Sequence, residues 1–216
     1  MSTSAKRSGY HHGNLRASLL TAAMHLLEVG EPFSLRAIAR EAGVSPTAPY
    51  RHFVDRDALE SALAVQGLRD LKADLSDGRE LPASAAGLGE LAVAYVEFAL
   101  RRPALFRLMF GNACDEGNEE RVQAAEEIHD LVQLAMKQVF PDGDPQALAS
   151  AWWALAHGMA YLHLDGKLPA ESSREVADHV RAAFAAIVSA RTQQAGAAQS
   201  VPTHTDAGVD SAHIPT

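Results

Sequence analysis

Between Ser45 and Arg56 the chain places Thr47, Tyr50, Arg51 and His52 in one short stretch, "SPTAPYRHFVDR". Hydroxyl, phenol, imidazole and guanidinium groups at this density suit hydrogen bonds to base edges and ion pairs to phosphates. They do not suit group transfer. The sequence holds no G-x-S-x-G elbow, no phosphate-binding glycine loop and no H-E-x-x-H pair, so neither an activated nucleophile nor a metal-bound water is on offer. Carboxylates scattered over helix faces make no acid–base pair, and no enzyme is expected.

A second set is aromatic and thioether: Tyr95, Phe98, Phe106, Met109, Phe110 and Trp153, with His129 and His157 in or beside apolar rows. Two readings stand. These residues are plain core with satisfied histidines, or some of them line an apolar cavity in which a few polar groups anchor a ligand. Methionine beside aromatics would keep such a cavity adaptable. Ten histidines raise the question of metal. His157 and His163 fall on different helical faces, His11 and His12 sit in the N-terminal arm, and Cys114 is the only cysteine. No metal and no cofactor is expected.

These groups need elements to hold them. Leu15, Leu19, Ala22, Ala23 and Leu26 share one helical face, with Gly30 as a stop. Ser34 caps a short helix, "LRAIAREA", which Gly43 ends. Asp55 caps a longer helix through Leu59, Leu63 and Leu68 toward Leu75, and residues 76–84 read as a linker. Helical rows then recur over 88–101, 103–111, 119–140, 146–165 and 171–192, with turns at 101–103 and 141–145. The helix at 146–165 is apolar nearly all round, which marks it as central or interfacial. No segment alternates as a strand, so the expected class is all-α.

Between the short helix and Asp55 lies a helix-turn-helix pattern. Gly43 takes the left-handed conformation in "AGVS", and Val44 fills the angle between the helices. The second helix is short and marked by two prolines. Ser45 caps it with Pro46 first, Thr47 caps it with Pro49 just inside, or its first turn is distorted. Thr47 and Tyr50 would then face a groove, with His52 near phosphate and Arg36, Arg51 and Arg56 flanking.

Net charge is −8, yet residues 1–56 carry seven basic against four acidic side chains, +3, which leaves −11 for the rest. A basic head on an acidic body is the asymmetry of a chain that meets phosphates at one end only. No run of apolar residues is long enough to span a membrane, and the polar N-terminus has no secretory h-region, so a cytoplasmic protein is expected.

"SLRAIAREAGVSPTAPYRHFVDRDAL" resembles the DNA-binding signature of the TetR-type (TetR/AcrR) transcriptional regulators, closely over residues 14–63. "WWALAHGMAYLHLDGKL" at 152–168 resembles a C-terminal subtype with a Trp…His-Gly pattern. The resemblance implies DNA contacts at Ser34, Ser45, Thr47, Tyr50 and His52, with Arg56 where the family often has a phosphate-binding lysine. Pro49 replaces a more usual aliphatic residue. The implied organisation is a flexible basic arm (1–12), a helix-turn-helix domain (13–60), a helical ligand-binding and dimerisation domain (61–193) and a disordered tail (194–216). It implies a ligand-responsive repressor: a homodimer through helices 146–165 and 171–192, bound to double-stranded inverted-repeat DNA and released by a small, mainly apolar effector. The effector cavity would lie among the middle helices. The rivals are a helical interaction protein without sequence-specific DNA binding and an all-α enzyme.

Overall fold

Leucine and alanine at three- and four-residue spacing, cut by glycine and proline, fold as a succession of helices. The computed structural model describes residues 15–76, 80–111 and 118–199, with side chains as far as Ser189. Among the described residues there are eight α-helices and no strand, the expected all-α class. They are α1 (Leu15–Val29), α2 (Leu35–Glu41), α3 (Arg56–Ser76), α4 (Ala85–Arg101), α5 (Pro103–Gly111), α6 (Glu119–Val139), α7 (Pro145–Leu164) and α8 (Ser173–Gln199). His11, His12, Cys114 and residues 1–12 lie outside the described residues.

The first three helices form a small head. Leu19, Ala23 and Leu26 of α1 meet Leu35 and Ile38 of α2 and Leu59 and Leu63 of α3, with Phe53 buried among them. Local signals set the boundaries. Gly30 and Gly43 take φ of 72° and 68°, the left-handed region that glycine enters without strain. The Ser34 hydroxyl accepts the Ala37 N–H at 3.2 Å, and the Asp55 carboxylate accepts the Ala58 N–H at 2.8 Å. Val44 packs half-buried against the head core.

The larger body is built round α4, whose Tyr95, Val96, Phe98 and Ala99 are almost wholly buried against α3, α6, α7 and α8. The Trp152 indole N–H donates to the Leu88 carbonyl at 3.0 Å and ties α7 to α4. Head and body are joined by α3 itself: Leu59 and Leu63 belong to the head core, Leu68, Leu71 and Leu75 to the body core. Met24, Leu27 and Leu108 touch both cores.

Helix α5 lies in this joint. It packs so closely on α3 that a Cβ added to Gly67 would sit 2.6 Å from Met109 Sδ. At the α4–α5 corner the Arg102 guanidinium donates to Glu28 of α1 and to Asp70 of α3, each at 2.6 Å. Burial opposes that charge, but the bonds to Glu28 and Asp70 outweigh it and hold Arg102 above its usual value. At the other end of α5, buried Arg121 donates to the Met109 carbonyl at 2.9 Å, and Asn118 donates to Ser61 of α3 at 2.7 Å.

Two features bear on assembly. Helix α7 exposes Ala147, Ala151, Ala154, Gly158 and Leu162, and α8 exposes Ala182, Ala185, Ala186 and Ile187. That is a large apolar surface for a single chain to leave in water. The expected irregular tail is corrected at its start, because α8 continues past Gln194 to Gln199. Alanine, glutamine and arginine in "RTQQAGAAQ" are good helix formers, and one glycine does not outweigh them. No helix among the described residues is long and apolar enough to cross a membrane.

Candidate nucleic-acid interface and ligand cavity

The head presents its polar groups on a segment shaped by proline. Pro49 has no N–H to give to the Ser45 carbonyl, so an α-helical ladder cannot start there. The Ala48 N–H bonds to the Ser45 oxygen at 2.9 Å instead. Arg51 N–H then bonds to Ala48 and His52 N–H to Pro49, at 3.2 and 2.9 Å. The result is a 3₁₀ turn, Pro49–Arg51, preceded by a tight turn.

This corrects the first two expected geometries and realises the third, a distorted first turn. Ser45 does not cap a helix opened by Pro46, since its Oγ lies 3.2 Å from Thr47 Oγ1. Thr47 does not cap either. The position before the turn is Ala48, without a side-chain cap. Its φ of −60° and ψ of −41° are helical despite the following proline, because Ala48 and Pro49 are both buried on the head core and held there.

Burying Ala48, Pro49 and Phe53 turns their neighbours outward. Ser34, Arg36, Ser45, Thr47, Tyr50, Arg51, His52 and Arg56 are all exposed, Tyr50 by 54%. Ser34 uses its oxygen to cap α2 and keeps its O–H proton to donate. Arg56 bonds through Nε to Glu60 at 2.6 Å and lies over the Phe33 ring at 5.4 Å. The guanidinium is exposed while Glu60 is largely covered, and Glu60 engages Nε alone, so a phosphate can reach the Nη groups. Val54, 80% exposed beside Tyr50, was not foreseen. Its position between buried Phe53 and capping Asp55 was the available signal.

The body holds a half-open cavity of about 280 Å³ between α3, α4, α5, α6 and α7. Its walls are Leu71, Tyr95, Phe110, Ala125, Glu126, Ile128, His129, Val132, Ala149 and Trp153. Four of the eight expected residues stand in this wall: Tyr95, Phe110, His129 and Trp153. The other four do not. Phe98 is buried 6.0 Å from the Arg102 guanidinium, and Met109 packs on Gly67. Phe106 is core, 4.9 Å from the Phe110 ring and 5.8 Å from Tyr95. His157 bonds to Tyr95 from outside the lining. The remaining wall residues were not foreseen as lining, although Ala125 and Val132 share the helical row of His129.

A hydrogen-bonded triad joins the cavity wall to α7. The Trp153 indole N–H donates to the Tyr95 oxygen at 3.2 Å, and that oxygen is 2.9 Å from His157 Nδ1. Burial holds the Tyr95 phenol well above its usual value and the His157 imidazole below its own. Both are therefore neutral at pH 7. The buried phenol, whose oxygen already accepts from Trp153, can donate its O–H to Nδ1 when the imidazole carries its proton on Nε2. Phe110 and Tyr161 meet the His157 ring edge to face at 4.7 and 5.0 Å, with Trp153 at 5.3 Å.

A pH dependence follows from this burial. His163, stacked on His179 at 5.7 Å, is also held low, first by burial and further by its neighbour's charge. A histidine lowered in the folded state keeps its full contribution above the unfolded value near 6.5 and loses it as pH falls toward the folded value. Thermal unfolding should thus show a lower Tm at pH 5.5 than at pH 7.5. His157→Gln should flatten that slope; an unchanged slope would remove His157 from this account.

Residues 19–63 match the family described as "Bacterial regulatory proteins, tetR family", and residues 88–190 match "Tetracyclin repressor-like, C-terminal domain". The chain belongs to the TetR family. A TetR regulator is a DNA-binding transcriptional regulator and not an enzyme, and members of the family typically act as dimers. Among solved structures, a protein of unknown function from Rhodococcus sp. RHA1 is 36% identical with a TM-score of 0.70, over 82% of this chain and 96% of its own. A tetR-family transcriptional regulator from Streptomyces coelicolor shares the fold at 21% identity and a TM-score of 0.62, over 84% and 85% of the two chains. A TetR transcriptional regulator from Rhodococcus sp. RHA1 does so at 18% and 0.54, over 80% and 93%.

Proposed function

We propose that this TetR regulator is a ligand-responsive repressor. It binds an inverted-repeat operator as a homodimer and is released by a small, mainly apolar effector. The observation that carries the reading is the division of the head. Ala48, Pro49 and Phe53 are buried, so Thr47 and Tyr50 stand outward on a stiff turn. Thr47, Tyr50 and Val54 read base edges, Val54 through a thymine methyl. Ser34, Arg36, Ser45, Arg51, His52 and Arg56 hold the backbone and set register. The exposed apolar faces of α7 and α8 pair with their copies across a two-fold axis. That places two heads in successive major grooves, roughly 34–36 Å apart. The site of action is the bacterial cytoplasm.

Coupling runs through α5, which carries Phe110 in the cavity wall and packs on α1 and α3. An occupant pressing on Phe110 shifts α5 against Gly67 and strains the Arg102 bridge to Glu28 and Asp70. Coupling of about 1–3 kcal/mol would weaken DNA binding roughly 5–150-fold. The test is fluorescence anisotropy against DNA upstream of the protein's own gene and a scrambled duplex, over a salt series. Sequence-selective affinity should fall with salt at a log–log slope of about −0.9 for each phosphate contacted. Salt-independent or absent binding in a genome-wide fragment selection would leave the bare interaction protein as the better account.

A further inference from the structure

The cavity's lining bears on what it takes. Glu126 is the one carboxylate in its wall, and no lysine or arginine shares that wall. Glu126 is exposed and stands at the cavity's mouth, with His129 half-buried beside it; among the described residues neither side chain makes a hydrogen bond or ion pair, although Glu127 next to them is held by Lys72 at 2.8 Å. The two stand three residues apart on α6, on one helical face at the cavity. The rings of Phe110, half-buried on α5, and Trp153, 44% exposed on α7, line the same space, while Tyr95 on α4 is wholly buried behind it. The Tyr95 oxygen is occupied, accepting from Trp153 and bonded to His157.

We infer that the effector is a small amphiphilic cation, an organic ammonium whose apolar part fills the cavity while its charge lies at the mouth beside Glu126. This rests on the reading of the cavity as the effector site. An anionic amphiphile would meet an unpaired carboxylate and no fixed positive group. A neutral occupant would gain from the apolar wall but nothing from Glu126, which stays in water. A cation whose charge stays at the mouth gains there as well: Coulombic attraction to the carboxylate and contact with the rings of Phe110 and Trp153. The wider field points the same way, since the chain beyond residue 56 carries a net charge of −11 and draws cations toward the body. At about 280 Å³ the space suits a compact molecule and not a long acyl chain.

The experiment uses the full chain at pH 8, above the ordinary histidine range. Three probes of similar size are titrated against the fluorescence of Trp152 and Trp153, the only two tryptophans. They are benzyltrimethylammonium, its uncharged isostere neopentylbenzene, and 3-phenylpropanoate. The cation should bind about tenfold more tightly than the isostere, and the carboxylate weakest. Glu126→Gln should bring cation and isostere to within about twofold while leaving the isostere's affinity unchanged, which shows that the cavity is still folded. Equal binding of cation and isostere to the native chain, or a preference that survives Glu126→Gln, overturns the cation assignment but keeps the cavity as a ligand site. If none of the three binds, the effector reading of the cavity falls with it.

Discussion

Phe106→Ala should cost about 3–5 kcal/mol of folding stability, whereas Phe110→Ala, four residues further along the same helix, should cost clearly less. Phe106 has no exposed surface and is ringed by Tyr95, Phe110, His157 and Tyr161. Removing its ring leaves a hole at the centre of the body that four packed helices cannot close. Phe110 already borders the cavity, so its truncation mostly enlarges a space that exists. In a chain of this size the Phe106 change lowers Tm by roughly 6–20 °C. Denaturant unfolding checks the free energies, and anisotropy checks function. Phe110→Ala should bind the ligand-free operator like the native chain and respond differently to effector. Equal losses of stability in the two variants would place both rings in the core and remove Phe110 from the coupling route.

The pair also shows where sequence stops informing. Phe106 and Phe110 lie one turn apart in "PALFRLMF", and periodicity puts both on the buried face. It does not say that one meets protein and the other meets a void. That depends on how α6 and α7 sit over α5, which no local pattern encodes. For the same reason nothing in the sequence decides His157 between core and ligand. The structure gives His157 a core partner in Tyr95.

Helix boundaries were legible because their causes are local. Ser34 and Asp55 each cap a backbone N–H three residues on, and Gly30 and Gly43 each supply one positive φ. The proline segment is an intermediate case. Its missing donors could be read from the sequence, but three local geometries were compatible with them. The burial of Ala48, Pro49 and Phe53 on the head core made the choice. Polar residues passed through that choice unharmed, since whichever turn forms, the apolar residues face in and Tyr50 and Thr47 face out.

Tyr50→Ala tests that outward face with a large expected effect on recognition and almost none on folding. The side chain is 54% exposed, and the turn under it is held by Pro49 and Phe53, not by the phenol. If the phenol bonds a base edge as proposed, its removal costs each half-site about 1–3 kcal/mol of discrimination. A dimer has two half-sites, so selectivity for the operator over a scrambled duplex should drop roughly 30- to 10⁴-fold. Arg56→Ala should behave differently. It removes the proposed phosphate contact, so affinity should fall on both duplexes alike and the salt slope should become shallower by about one for each half-site. Loss of the guanidinium leaves the largely covered Glu60 without this partner, so a modest loss of stability should accompany the loss of affinity. Anisotropy on the two duplexes over the same salt series separates the variants. If Tyr50→Ala weakened both duplexes equally, the phenol would be a backbone contact, and base reading would pass to Thr47 and Val54.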